Sequence, residues 1–211
     1  MPRTTSGPAA AHDLRRVHPQ LWRAGDEPAR LTVPPVAYLM VDGAGDPSTT
    51  PAYADAVATL YAVSYGLRFA AKAAGVEPWP VHPLEGLWWS DDVARFSMDR
   101  RDEWRWTMLI AQPPVVTADA VADAVASAEH KGKAPASAGL RFDVLDEGDA
   151  VQVLHRGPYD DEPPTIARLH AWIADAGLAL RGTHHEVYLT DPRRCAPERM
   201  RTILRQPVAR A

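Results

Sequence analysis

Hydrophobic and polar positions along the chain change period several times, and each change marks an element. Val36–Val41 is a short apolar run of strand formers that ends in the turn-rich Asp42-Gly43-Ala44-Gly45-Asp46-Pro47. Thr50-Pro51 then opens a helix, with Pro51 at the first helical position. Tyr53, Val57, Leu60, Ser64, Leu67 and Ala71 recur on one stripe of it, and Gly75 and Pro78 end it. Tyr61 and Tyr65 give this helix a second, aromatic stripe. Leu84–Ser90 reads as a strand followed by a polar turn. Trp104–Ile110 reads as another, whose alternation places Trp104, Trp106 and Met108 on one face. Thr117 caps an Ala-rich helix that runs to about His130. Leu140–Val144 and Val151–His155 flank Asp146-Glu147-Gly148-Asp149, the signature of a β-hairpin. Pro163-Pro164 opens a helix with Ile166, Leu169 and Ile173 inward, stopped by Gly177. Strands follow at His184–Thr190 and near Arg201–Gln206.

The order strand, Gly/Asp turn, helix, strand, strand occurs twice. Short echoes accompany it: Thr107-Met108-Leu109-Ile110 resembles Thr202-Ile203-Leu204-Arg205, and Glu85 and Glu186 each open the strand after a helix. A repeat of fixed order argues for duplication. One βαββ unit has a single apolar sheet face and too little core to stand alone. The predicted fold is therefore α+β: two βαββ units related by a pseudo-two-fold axis, an antiparallel-type sheet, helices on one side and a central cleft. The expected boundaries are a flexible tail over residues 1–13 and a domain over 14–208. Within it lie a first unit at about 33–115, a connector helix at about 117–131 and a second unit at about 140–208.

Composition narrows the function. The formal net charge of −4 over 211 residues offers no basic surplus for phosphates or for anionic lipid. No segment has the apolar length to span a bilayer. The single cysteine, Cys195, cannot form an internal disulfide, and the N-terminal stretch has no signal-like apolar core, so a cytoplasmic location is expected. No P-loop, G-x-G-x-x-G or G-x-S-x-G string is present. His184 and His185 are adjacent on a strand and point to opposite faces, so they cannot chelate one metal. No metal and no cofactor is expected.

Strand alternation puts His184, Glu186 and Tyr188 on one face and His185, Val187 and Leu189 on the other. The first face reads as a polar pocket wall, with a solvated Glu186 paired to an arginine as the competing reading. Four of the seven tryptophans fall on two strands. Trp104 and Trp106 must point the same way. Trp88 and Trp89 must point oppositely, so one of them needs a ligand or a second layer to cover it; which one faces the pocket stays open. Such rings form a box for flat ligands. Tyr65 on the aromatic helix stripe, Tyr159 in the turn Gly157-Pro158-Tyr159-Asp160, and His155 just before that turn complete the candidate ligand-contacting set. For His155 a structural role is the competing reading.

These residues resemble a known family. The two βαββ units, the Gly157–Asp160 turn and His185-Glu186-Val187-Tyr188-Leu189-Thr190-Asp191-Pro192 are similar to the GyrI-like small-molecule-binding domain, which also forms the effector-binding half of multidrug-sensing regulators. Leu84–Trp89 and Trp104–Met108 look like those of a stand-alone bacterial subgroup. The resemblance covers about Asp13 to Val208. It implies a central hydrophobic pocket with an inward glutamate, here Glu186. It also implies either of two activities. One is hydrolysis of hydrophobic aromatic compounds of the cyclopropane-bearing alkylator type, with Glu186 and Tyr188 as catalytic residues. The other is non-catalytic binding or sensing of bulky hydrophobic cations. Inhibition of a topoisomerase by protein contact follows only from the family's name. The expected partner is a hydrophobic aromatic small molecule, not nucleic acid or membrane.

Overall fold

The computed structural model describes residues 12–90 and 98–211; of Met98 and Asp99 it describes the backbone only. The tail expected over residues 1–13 falls outside the described residues up to residue 11, as does the polar turn expected after Ser90. Asp13 itself caps a short helix, α1 (Leu14–Val17), by accepting a hydrogen bond from the Arg15 amide. Three longer helices follow: α2 (Pro51–Ala73), α3 (Ala118–His130) and α4 (Pro163–Asp175). The strands are β1 (Ala29–Val33), β2 (Val36–Ala44), β3 (Leu84–Ser90), β4 (Trp104–Gln112), β5 (Leu140–Leu145), β6 (Gly148–Arg156), β7 (Leu178–Leu180), β8 (His184–Tyr188) and β9 (Arg201–Arg210).

All strand pairs among the described residues are antiparallel, in the order β1-β6-β9-β8-β3-β4-β2-β5, with β7 on β9. β5 and β6 are not a hairpin, which corrects the expectation for Asp146-Glu147-Gly148-Asp149. β5 pairs with β2 (Val36 opposite Leu145) and β6 with β1 (Val33 opposite Gly148), so one ladder continues across Pro34-Pro35 on one side and Asp146-Glu147 on the other. The turn-forming residues bend a strand here rather than reverse it. Gly148, at φ +62°, absorbs the bend as a bulge would. The prolines sit where the ladder is interrupted, the place in a sheet where a missing N–H is tolerated. The two ends of the strand order are thereby joined by chain continuity, and the sheet curls until it has an inner and an outer face.

The duplication is visible in the registers. β2-α2-β3-β4 and β6-α4-β8-β9 have the same pairing, and β3 meets β8 at the seam, where Gly86 lies opposite Glu186. Gly86 faces Met108 on β4 while Glu186 faces Leu204 on β9. Gly86 and Glu186 are therefore counterparts, as are Trp88 and Tyr188, and Glu85 and His185. The echoes seen in sequence, Glu85 with Glu186 and Thr107 with Thr202, are each displaced by one residue. In a strand that slip exchanges the faces.

Three cores follow from the faces. α2 and α3 cover the outer face of the first unit over Leu39, Val41, Trp106, Met108 and Ile110. α4 covers the outer face of the second over Val151, Val153 and Leu204. On α2 the expected stripe holds at Leu60, Ser64 and Leu67. Ala56, Thr59 and Val63 are buried with them, while Tyr53, Val57 and Ala71 are half-buried. Each fully buried aliphatic side chain contributes roughly 1.5–3 kcal/mol. On the inner face Tyr38, Met40, Leu109, Val187 and Ile203 pack against Leu14, Leu21 and Trp22 of the N-terminal segment. The long helices therefore share one side of the sheet, α2 and α3 over the first unit and α4 over the second, and β3 meets β8 between the two units.

Candidate functional site

β8 presents consecutive residues to different worlds. His185 and Val187 point inward and are fully buried, whereas His184, Glu186 and Tyr188 point to the outer face. The alternation read from sequence thus gives the observed faces, and Glu186 is not a solvated carboxylate: its side chain is only 12% exposed.

A chain of hydrogen bonds crosses the seam. The Trp88 indole N–H donates to the Tyr188 hydroxyl at 2.9 Å, and that hydroxyl donates to Glu186 Oε2 at 2.8 Å. His184 Nε2 lies 3.4 Å from Glu186 Oε1. The chain passes over Gly86. A Cβ there would sit 2.7 Å from Trp88 Nε1 and 2.8 Å from the Tyr188 oxygen, so the missing side chain makes the room. Burial, with the negative charge of Glu186 next, pushes the Tyr188 phenol well above its ordinary range. It remains a protonated donor at any working pH.

Aromatic rings wall the carboxylate. Tyr53 of α2 stacks on Trp88 with centroids 6.3 Å apart and meets Trp106 edge-on at 5.4 Å. Trp104 meets Trp88 edge-on at 5.5 Å, and Tyr159 meets Tyr188 edge-on at 5.6 Å. Arg101 lies over the Trp104 ring and pairs with Asp160, tying the two halves at the rim. Burial, then the neighbouring acidic and phenolic groups, push Tyr53 and Tyr159 upward as well.

A second carboxyl joins Glu186. Glu162, the residue before Pro163, makes no side-chain cap on α4; it is 4% exposed and turned to the sheet, beside the Thr202 hydroxyl and the Glu186 carboxylate. Burial first, and then the charge of Glu186, hold its pKa well above the ordinary carboxylate range, against the weaker pull of Thr202. Its Oε1 is buried without a hydrogen-bond partner.

The remaining candidates separate. Trp106 is a core ring whose indole N–H donates to the Gly45 carbonyl at 3.2 Å. Trp89 faces away from the carboxylates and lines an open cavity of about 570 Å³ with Asp42, Arg105, Thr107 and Arg141; of Trp88 and Trp89, it is Trp88 that faces the carboxylates. Tyr65 is 47% exposed, stacked between Tyr61 and Phe69 on the outer side of α2. His155 is buried and structural. Its Nε2 lies 3.2 Å from the Pro158 carbonyl and must donate there, which leaves Nδ1 to accept from the Thr165 hydroxyl at 3.0 Å. It pins the Gly157 turn to the first turn of α4.

Sequence reasoning missed Glu162 and gave Tyr53 only a core role. Glu162 sits in the acidic run Asp160-Asp161-Glu162, whose composition looks solvated; only its position before a Pro-initiated helix hinted that it could be buried.

The inner face of the same seam holds a second ionisable cluster. His185 Nδ1 and Nε2 lie 2.9 Å from Glu147 Oε1 and Glu85 Oε2 respectively, and Arg205 Nη1 lies 3.3 Å from Glu147 Oε2. Tyr38 and Trp22 donate to Glu85 at 3.2 and 3.1 Å. Arg205 Nη2 donates to the Leu21 carbonyl at 2.6 Å, and Gln152 reaches the carbonyls of Gln20 and Arg23. Burial alone would lower the His185 pKa, but Glu147 and Glu85 reverse this and raise it to about 9. Burial alone would raise Glu147; His185 and Arg205 lower it to about 2.

Comparison with known proteins places this arrangement. The family model for the GyrI-like small molecule binding domain matches residues 27–208. A crystal structure described as an uncharacterized conserved protein from Listeria innocua superposes with a TM-score of 0.87 at 35% identity, over 94% of this chain and 100% of that one. One described as a hydrolase from Listeria innocua gives 0.82 at 34% identity, again over 94% and 100%. The C-terminal domain of EcmrR shares the fold alone, at a TM-score of 0.57 and 14% identity over 88% of this chain and 98% of that one. No curated protein matched. Among the described residues no helix is long and apolar enough to cross a membrane. The duplicated unit, the seam and the match over most of the chain agree: this chain belongs to the family of GyrI-like small-molecule-binding domains.

Proposed function

We propose that this chain is a hydrolase that opens strained, hydrophobic aromatic electrophiles of the cyclopropane-bearing type, with Glu186 as the general base. One observation carries the reading. The Trp88–Tyr188–Glu186 hydrogen-bond chain fixes the Glu186 carboxylate beside a connected set of rings, Tyr53, Trp88, Trp104, Tyr159 and Tyr188. A flat substrate stacks on the rings, which exclude bulk water and hold its strained carbon near the carboxylate. Glu186 takes a proton from one retained water as that water attacks. Tyr188, locked as a phenol, orients the carboxylate and keeps one of its oxygens hydrogen-bonded throughout. General-base catalysis of this kind is worth about 10²–10⁴-fold, with positioning adding to it. The similarity to a Listeria innocua protein described as a hydrolase supports the class of reaction. In this reading the protein acts in the cytoplasm as a detoxifying enzyme and needs no cofactor.

The same rings and carboxylate suit a hydrophobic cation, held by cation–π contacts with Glu186 as counter-ion. One experiment separates the two. The pure protein is incubated with a spirocyclopropyl-dienone alkylator and the products are followed by mass spectrometry. The hydrolase reading expects a ring-opened product one water heavier than the substrate. Tight binding of a fluorescent cationic dye with no such product would establish a binder instead.

A further inference from the structure

We propose that His184 decides the charge of the ligand that the outer site takes: a neutral ring leaves the Glu186 carboxylate to a hydrophobic cation, whereas a charged ring pairs with it and keeps the cation out. Residues two apart on a strand share a face, so β8 sets His184, Glu186 and Tyr188 in one row. The two oxygens of Glu186 have different neighbours. Oε2 accepts from the Tyr188 hydroxyl at 2.8 Å, and Oε1 has His184 Nε2 at 3.4 Å. The His184 side chain is 10% exposed, yet neither of its ring nitrogens has a hydrogen-bond partner among the described residues. A dry polar group without a partner calls for an explanation. Here the oxygen within ion-pair distance is the one that Tyr188 does not use, on a carboxylate already fixed from its other side. The row belongs to one half of the duplication. The first unit has Leu84, Gly86 and Trp88 at the equivalent positions, and Trp88 lies opposite His184 across the seam.

A neutral imidazole puts no positive charge beside Glu186. The carboxylate and the neighbouring rings are then open to a hydrophobic cation, through charge and cation–π contact. Once His184 takes a proton, the 3.4 Å contact becomes an ion pair on Oε1, and a second cation at the same carboxylate is opposed by like charge. Proton and ligand therefore compete, and by linkage a bound cation expels the proton. The other groups around the pair do not supply this switch. On β8 the Tyr188 phenol stays protonated, through burial and then the charge of Glu186. On β3 Trp88 carries no charge. At the entrance of α4 Glu162 is an acid, and on α2 and the Gly157 turn Tyr53 and Tyr159 are phenols that burial keeps protonated. His170 on α4 is the other imidazole; burial first, and then the charge of His184, make it harder to protonate. The switch acts on Glu186 whether that carboxylate serves as base or as counter-ion, so it does not rest on the hydrolase reading.

The test uses the full chain and two dyes, ethidium as a permanent flat cation and Nile red as an uncharged ring system. Affinities are read by fluorescence titration at about pH 5.5 and about pH 8.5, on either side of the range in which imidazoles ordinarily change charge. Wild type is compared with His184→Gln and with His184→Leu, which installs the residue of the equivalent position in the first unit; each is shown to be folded by thermal melting at both pH values. Wild type is expected to bind ethidium about 10–100-fold more weakly at the lower pH, the scale of one hydrogen bond to a charged group, and Nile red equally at both. Both variants are expected to lose the ethidium difference. Calorimetry of ethidium binding at neutral pH, in two buffers of different ionisation enthalpy, is expected to show proton release from wild type and none from His184→Gln. Equal ethidium affinity in wild type at the two pH values, or a difference that survives in the variants, overturns the assignment. So does Nile red binding that follows the same pH dependence, or failure of ethidium to bind wild type at the higher pH. The hydrolase reading is decided separately by the dienone products: ring opening without a pH switch in ethidium binding leaves that reading standing and removes the role of His184.

Discussion

Residues 185 and 186 are neighbours in the chain and opposites in chemistry. His185 on the inner face has a carboxylate on each side, and Arg205 balances the second negative charge, so two acids meet two bases. Glu186 on the outer face meets a tyrosine, a distant imidazole and another acid. The inner cluster is the more deeply buried and is balanced; the outer one keeps some exposure, with Glu186 12% exposed, and is not balanced. A balanced buried network holds structure in place: it fastens the N-terminal segment, through the Leu21, Gln20 and Arg23 carbonyls and the Trp22 indole, to the inside of the sheet. An imbalanced one stores reactivity. The seam turns one strand into a boundary between the two.

The contrast can be broken most severely on the inner face. Arg205→Ala leaves Glu147 with only His185, in a dry interior. Loss of one partner of a buried pair costs about 3–5 kcal/mol, to be read as a drop in unfolding free energy in urea. A variant as stable as wild type would remove the structural role given to the network.

The pH dependence of stability follows from the same groups. Glu147 falls from an ordinary 4.5 to about 2 on folding, so its contribution is present above 4.5 and is lost as pH falls toward 2. His185 rises from 6.5 to about 9, so its contribution is present below 6.5 and is lost as pH climbs through 9. Stability should be greatest between roughly pH 4.5 and 6.5 and decline on either side, by on the order of 2 kcal/mol at each end. Thermal melts across that range check it; a maximum at pH 9 would contradict the ion pairing.

Gly86→Ala strikes the seam from the other side. Its Cβ would collide with Trp88 Nε1 and the Tyr188 oxygen, so the hydrogen-bond chain must shift. A loss of about 1–3 kcal/mol in stability is expected, typical of overpacking. An unperturbed tryptophan fluorescence spectrum and unchanged stability would show that the chain has slack.

The smallest stability effect belongs to the most reactive residue. Glu186→Gln keeps the shape and the Tyr188 contact while removing a largely buried negative charge. Stability should stay within about 1 kcal/mol of wild type or rise slightly, since sites built for chemistry are paid for in stability. A large loss in a denaturation curve would make Glu186 a structural residue after all.

Much of this was legible in the chain. Pro163–Asp175 declares itself because its buried face repeats at the helix's own period, and Trp104–Gln112 because it is a run of strand formers, buried at every position but Arg105. The faces of β8 followed from alternation alone, and so did the opposition of Trp88 and Trp89. What failed was what depends on distant pairing. Asp146-Glu147-Gly148-Asp149 has hairpin chemistry, but β2 and β1 recruit its two flanks into one bent ladder. β1 carries too mixed a pattern, with Ala29, Arg30 and Thr32 exposed, to announce a strand. The repeat was recognised one residue out of register because short echoes do not fix a face. Glu162 was invisible because its partners, Glu186 and Thr202, lie on strands that the fold brings to it.

The account stands on Glu186 as the base of the outer cluster. Its most direct test is the rate of ring opening of a spirocyclopropyl dienone by Glu186→Gln, measured by mass spectrometry at a temperature where variant and wild type are equally folded. The predicted result is ring-opened product from wild type and a rate at least about 10²-fold lower from the variant, with the affinity for a neutral aromatic ligand kept within a few fold. Equal rates from the two proteins would contradict the assignment of Glu186.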